Sequence, residues 1–396
     1  VTTPPQGSDG DWCPAFSPDG AKLAFVRGSS ADTQDLYVAD ANGGNPKRLT
    51  FEEGPIRGIA WAANGADLVY AGARAKGTRL WRIPVAGGSP HEVLGVSLEA
   101  RFPTVSTTGN RLAYTESPTV TSIWRAPLNG APGSERPLLR SSGRERLASY
   151  SPDGKRIADI SDQTGFEEIW VSDAEGGNRV RITNFTAAAE HPQLGRAAWS
   201  PDGKWLLFDQ NSDRGDEIWK VLAEARSKPV RVLAGGHGAS WSHDGKSIYY
   251  SQRGQIWKAA ADGGRPEQLT ERGSNGSPLE SPDGKFVYFR WRGASIFRIP
   301  SAGGEAEEVI SGDGPLMGDP LPVKTGIYYM VFQRFDRSAA VLYHDFASKK
   351  TSDAFRLPGR NFGFTPVFSI SPDGKFILFA RVDQSQTNLM LVENFK

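Results

Sequence analysis

Four arginines stand at matching places in a repeated pattern: Arg57, Arg101, Arg146 and, one residue out of step, Arg196. Guanidinium forks grouped this way could hold a carboxylate, a phosphate or an acidic peptide through paired hydrogen bonds. They could equally stay solvated, because two unit charges ~10 Å apart in water repel by only ~0.4 kcal/mol. Trp12, His237 and Asp319 hold the same place in other copies of the pattern, and Asp11 adjoins Trp12. These eight residues are the ligand-binding candidates.

Catalytic chemistry is less clearly written. Asp11, Glu145, His237 and Asp319 could between them hold a divalent ion in a channel, which would suit a metal-dependent hydrolase or lyase. No metal site is spelled out locally, however. His91, His191, His237, His243 and His344 are scattered, with no His-x-x-x-His on a helix and no Cys-x-x-Cys. There is no Gly-x-Ser-x-Gly nucleophile elbow. Gly235-Gly236-His237-Gly238 precedes a strand instead of opening a helix, so it does not read as a phosphate loop. Cys13, the single cysteine, can form no internal disulfide and reads as a small packing residue beside a strand. No catalytic residue, metal or other cofactor is assigned.

What must position these residues is a hairpin. Ser17-Pro18-Asp19-Gly20, with Phe16 before it and Leu23-Ala24-Phe25 after it, returns intact or eroded along the whole chain. Pro presets φ, Asp can bond its own backbone and Gly accepts positive φ, so the four residues reverse the chain between two strands. This turn explains the repeated aspartates without a catalytic role. Its glycine recurs as Gly20, Gly65, Gly109, Gly154, Gly203, Gly245, Gly284, Gly326 and Gly374. The intervals are close to the ~40–45 residues of one four-stranded propeller blade.

The expected fold is therefore all-β: a single closed β-propeller over residues 1–396, built from four-stranded antiparallel blades, nine in number or alternatively eight. The eighth copy, Pro322 to Ile327, lacks the Pro-Asp turn. Within each copy a small residue beside an apolar one marks the innermost strand, as in Ala60-Trp61 and Ala198-Trp199. An aromatic column follows in the second strand: Phe25, Tyr70, Tyr114, Phe208, Tyr250, Phe289, Tyr329 and Phe379. Third strands carry pairs such as Leu80-Trp81, Ile123-Trp124 and Leu389-Met390. Burying such a ring removes ~150–250 Å² from water. Asp159 breaks the column, and a carboxylate there needs a partner or a raised pKa. The ninth copy ends before its outer strand. Val1-Thr2-Thr3 resembles the close of that strand elsewhere, so the N-terminal residues are expected to close the ring.

The net charge of +1 gives no reason to expect nucleic acid as a partner, and no window approaches the ~18 apolar residues that would suggest membrane insertion. The start at Val1, without methionine or a leader pattern, suggests a processed chain or a piece of a longer one. A monomer is expected.

The Phe/Trp-Ser-Pro-Asp-Gly-Lys runs, the aromatic strand after them and the Ile-Trp third strand resemble the repeats of TolB-like β-propellers over essentially the whole chain. Ser371 to Lys396 further resembles the carboxy-terminal propellers of bacterial winged-helix transcription regulators and serine/threonine kinases. The resemblance implies a non-enzymatic sensor or interaction module that binds a protein segment or a small anionic ligand, with a fused effector domain upstream. The metal-dependent enzyme and a purely structural scaffold remain the alternatives. TolB-like relatives imply the periplasm; a soluble kinase or regulator would imply the cytoplasm.

Overall fold

The computed structural model describes residues 2–395 except 6–7, 31–32, 52–53, 73–77, 97–98, 109, 118, 132, 186–192, 213–214, 272–275, 292–294, 312–315, 333–337, 358–366 and 386. The turn glycine Gly109 and His191 lie outside the described residues. Among those described, every regular element is a strand, and the strands form nine separate sheets.

The repeated turn explains itself atom by atom. In six copies the serine hydroxyl donates to the aspartate two residues on: Ser17 to Asp19, Ser151 to Asp153, Ser200 to Asp202, Ser242 to Asp244, Ser281 to Asp283 and Ser371 to Asp373. The same hydroxyl accepts the backbone N–H that opens the second strand, at 2.9 Å in the Ser200 copy. The glycines of these turns lie between +68° and +72° in φ, where a Cβ would be strained. The erosion in the eighth copy is harmless, since Val323 pairs with Gly326 around Lys324-Thr325.

Contacts divide the chain into two compact units, Val1–Pro118 with Ser385–Lys396, and Thr119–Gln384. The first holds three sheets. Sheet 1 runs from Gly10–Phe16 through Lys22–Ser30 and Thr33–Asp40 to Lys47–Arg48; sheet 2 runs from Ile56–Trp61 through Asp67–Gly72 and Arg79–Pro84 to His91–Glu92. Sheet 3 has three strands, Ala100–Val105, Leu112–Glu116 and Asn388–Val392. The second unit holds six. Sheets 4 to 8 follow in chain order, beginning at Glu145–Tyr150, Gln193–Leu194, His237–Trp241, Leu279–Glu280 and Leu316–Val323. Sheet 9 takes its inner strands, Phe368–Ile370 and Phe376–Ser385, from late in the chain and its outer strands, Thr119–Pro127 and Arg136–Leu139, from early in it.

This pairing corrects two expectations. The strand with Ile123-Trp124 does not complete the third sheet, nor does the strand with Leu389-Met390 complete the ninth; the two have exchanged places. Only Ser117-Pro118 separates Leu112–Glu116 from Thr119–Pro127. A two-residue hairpin wants positive φ at its first central residue, and a following proline pushes Ser117 towards extended φ instead. The expected closure by N-terminal residues is likewise not the pairing found: Thr2 and Thr3 lie outside any strand, and sheet 9 is completed by residues 119–139.

The core lies between sheets. In the second unit, apolar clusters join sheet 9 to 4, 4 to 5, 5 to 6, 6 to 7, 7 to 8 and 8 back to 9. In the first, clusters join sheet 1 to 2 and 2 to 3. All eight aromatics of the expected column are buried, none more than 7% exposed.

The turn network makes a measurable contribution. Ser200→Ala removes one donor and one acceptor from a buried site, and should lower the unfolding free energy in urea by about 1–2 kcal/mol. The Ser200 hydroxyl, with the Lys204 N–H, holds the Asp202 carboxyl below its ordinary value of 3.8. A depressed carboxylate stabilises the fold above its unfolded pKa and loses that contribution as pH falls through the folded value. The gap between wild type and variant should therefore be wider at pH 6 than at pH 2.

Candidate functional site

In sheet 6 antiparallel pairing puts the loop leading into the innermost strand and the turn between second and third strands at the same end. This end carries a cavity of about 290 Å³ lined by Asp216, Gly235, Gly236, His237, Gln252 and Arg253. Gly235 and Gly236 lead into the inner strand of sheet 6 at φ of +81° and +89°. A Cβ on Gly236 would lie 2.6 Å from the Tyr250 ring, so glycine is required where the backbone crosses that ring. The Gly235 N–H donates to the Asp216 carbonyl at 2.7 Å, which ties the loop to sheet 5.

Opposite stands the turn Arg253-Gly254, with φ of +50° and +72°, the geometry of a two-residue hairpin. Arginine is an unusual occupant of that first position, where asparagine or glycine would be unstrained. Gln252 and Arg253 make no side-chain hydrogen bond or ion pair among the described residues. Arg253 is exposed and His237 half-buried. Behind His237, the Asp209 carboxylate accepts the Gly238 N–H at 3.0 Å, and burial pushes its pKa up. It packs so closely on Gly195 that a Cβ there would sit 2.3 Å from its oxygens.

The sequence-derived candidates fare unevenly. Asp11 is gripped by both ends of the Arg27 fork at 2.7 and 2.8 Å, which holds its carboxyl below the usual range. Trp12 packs into the core between sheets 1 and 2. Arg57 is exposed; Arg101, on the neighbouring inner strand, pairs with Glu99 at 3.3 Å. Both belong to the first unit, while Arg146 and Arg196 belong to the second. Arg146 is engaged by Glu167 and by the Leu194 carbonyl, and Arg196 is half-buried. Asp319 accepts the Ser277 N–H at 2.8 Å, with Arg290 4.0 Å away. Cys13 is half-buried against the core, and burial raises its thiol pKa.

The four residues weighed as channel metal ligands each have a separate setting, and among the described residues no group of three or more His, Cys, Asp or Glu side chains could hold a metal ion. His237, one of the candidates from the repeat, lines this cavity, whereas Gln252 and Arg253 were not singled out from the sequence.

Asp159 has found a partner. It is fully buried, as is Glu145, and the Arg179 guanidinium bonds both carboxyls. Ser161 adds a donor to Glu145 at 3.1 Å, and Arg179 stacks 5.1 Å from the Trp170 ring. Burial raises the Asp159 pKa well above 3.8; the facing Glu145 raises it further, and Arg179 only partly offsets both. One guanidinium serves two buried carboxyls, and burial favours the protonated form of Asp159.

With fold and site described, part of this chain proves similar to TolB-like β-propellers. Residues 102–296 match the family model of the TolB beta propeller domain. The chain is 28% identical over 161 residues to the "Uncharacterized peptidase YuxL" of Bacillus subtilis (strain 168), covering 40% of this chain and 23% of that protein. It is 31% identical over 172 residues to the "Tol-Pal system protein TolB" of Bordetella pertussis (strain Tohama I / ATCC BAA-589 / NCTC 13251), covering 40% of this chain and 36% of that one. The matches thus span only part of these relatives. Among solved structures, the putative TolB from Agrobacterium tumefaciens superposes with a TM-score of 0.54 at 20% identity, over 67% of this chain and 99% of that one, a likeness of fold. Among the described residues no helix is long and apolar enough to cross a membrane.

The buried pair predicts a pH signature. A carboxyl whose folded pKa is raised contributes fully below its unfolded value, and that contribution is lost as pH rises through the folded value. Asp159→Asn keeps a donor towards Glu145 without the ionisation. The variant should therefore gain stability relative to wild type as pH rises above the ordinary carboxylate range in urea titrations. Arg179→Met strands two buried carboxyls and should cost about 3–5 kcal/mol at pH 7.

Proposed function

We propose that this chain is a recognition module whose second unit is a six-bladed TolB-like ring, binding a protein segment that carries a carboxylate at the cavity beside His237. One observation carries the reading: Gln252 and Arg253 face this cavity with their hydrogen-bonding groups uncommitted, whereas Arg101 and Arg146 are already spent on Glu99 and Glu167. The guanidinium offers a fork to a carboxylate. The two glycines let a peptide backbone approach, and Asp216 can accept an amide N–H. The cyclic order of apolar clusters supports the six-bladed ring.

The relative named as a peptidase lends no activity here, because the match covers 23% of it. A periplasmic site belongs to the same proposal and rests on the resemblance to TolB. An upstream effector domain rests on the resemblance of residues 371–396 alone.

The test is selection of random peptides on the immobilised chain, followed by fluorescence anisotropy. Enriched peptides should carry an acidic side chain or free carboxy terminus, and Arg253→Glu should weaken them at least ~10-fold. Arg57→Glu should leave them unchanged. Equal affinity for wild type and Arg253→Glu would refute the assignment.

A further inference from the structure

The first unit has a misfit at each end. Leu389 holds in sheet 3 the place that Leu80 holds in sheet 2: each pairs with the residue after the column aromatic, Thr115 after Tyr114 and Ala71 after Tyr70. Leu80 is 0% exposed and so are Leu36, Ile169, Ile218, Ile256 and Ile296 at this place, but Leu389 is 77% exposed. Leu391, on the same face of the strand, is 58% exposed. At this place a side chain is normally covered by the next sheet, as Leu80 is by sheet 3.

At the other end, Phe16 pairs with Leu23 as Trp61 pairs with Leu68 and Trp199 with Leu206. The tryptophans reach across to the preceding sheet: Trp61 Nε1 donates to the Ala15 carbonyl at 2.8 Å, and Trp199 Nε1 to the Ser149 carbonyl at 3.2 Å. They are 6% and 9% exposed, and Phe16 is 61% exposed. Beneath Phe16, Leu23, Phe25 and Ala39 form a cluster that belongs to sheet 1 alone. A cavity of about 320 Å³ opens there, with Trp12, Pro14 and Phe16 in its wall.

We propose that a second copy of this chain covers both ends. The two first units dock head to tail, each seating its Leu389–Leu391 face on the Phe16 face of the other, and three sheets from each copy complete a ring of six. The second unit shows the geometry: six sheets of the same repeat pack in a cycle, so three make half a turn. Two halves related by a two-fold axis close with two equal contacts and leave no face open. The socket also fits. Cutting one buried leucine back to alanine leaves a void of ~150 Å³, so about 320 Å³ has room for Leu389 and Leu391 together. A dimer would replace the monomer expected from the sequence.

Sedimentation equilibrium of the full chain should give twice its 42.9 kDa. The double variant Leu389→Asp with Leu391→Asp, and separately Phe16→Asp, should each weaken the dimer at least ~100-fold. Both alter exposed side chains, so at concentrations too low for dimer the urea midpoint should match wild type. With Cys13→Ser in place, Phe16→Cys combined with Leu391→Cys should give a disulfide-linked dimer on mild oxidation. A chain that stays monomeric up to ~100 µM would overturn the proposal. So would a dimer broken by substitution at one face only, since that would make the contact a face against itself.

Discussion

Every sheet in this protein is apolar on both faces, and that constraint governs the rest. A sheet with one apolar face can pack on a single neighbour and turn its other face to water; a sheet with two must be covered twice. Stacking such sheets in a line always leaves two faces open, and only a cycle leaves none. The second unit satisfies this with six sheets and six clusters. The first has three sheets and two clusters between them. Its uncovered side chains, Phe16 at one end and Leu389 at the other, have counterparts elsewhere that are buried or half-buried. Leaving one such side chain in water forgoes about 1.5–3 kcal/mol.

Sheets packed this tightly must satisfy polar groups locally, and the repeat does so with a fixed device. The backbone N–H of Leu36, Ile169 and Ile256 donates to the hydroxyl of Thr50, Thr183 and Thr270, each at 2.9 Å. In the first two copies that hydroxyl in turn meets an acid, Asp35 or Glu168. Neighbouring sheets are also tied by side chains: Gln34 accepts the Ile56 N–H and Glu167 accepts the Leu194 N–H, both at 2.8 Å. Many charged residues that look functional in sequence are consumed this way. The Arg146 guanidinium is held by the same Glu167 that fastens sheet 4 to sheet 5. Glu145, Asp159 and Arg179 carry the logic furthest, replacing a ring in the column with a charged set that is closed on itself.

Sequence periodicity made the hairpins, the aromatic column and the anomaly at Asp159 legible, because each is set by residues close in the chain or equivalent between copies. Ser-Pro-Asp-Gly specifies a turn whatever surrounds it. Strand partnership beyond the hairpin was not legible. Leu389-Met390 and Ile123-Trp124 are interchangeable as third strands by type, and only Pro118 hints that the chain runs on instead of turning back. The site was partly legible for a similar reason. His237 could be found by its place in the repeat, but Gln252 and Arg253 form an ordinary-looking turn, set apart only by φ at Arg253 and by the lack of a side-chain partner among the described residues. The arginine series shows the converse. Equivalent positions gave Arg57, Arg101 and Arg146 a common look, and spatial neighbours then gave them different fates.

The exchange of third strands also determines what the second unit can do alone. Its sheet 9 joins residues 119–139 to residues 368–385, so the two ends of the unit are sewn together by backbone hydrogen bonds within one sheet. Side-chain packing between blades opens with temperature and denaturant as apolar contacts weaken; a ladder through the middle of a sheet opens only when that sheet itself comes apart. The cavity at His237 is built from residues 216–253, a continuous stretch inside this sewn cycle, and its walls are two neighbouring sheets that the cycle holds in register. A surface made of loops keeps its geometry when the strands beneath it cannot drift. Here that rigidity comes from an exchange of strands that leaves the first unit's last sheet one strand short.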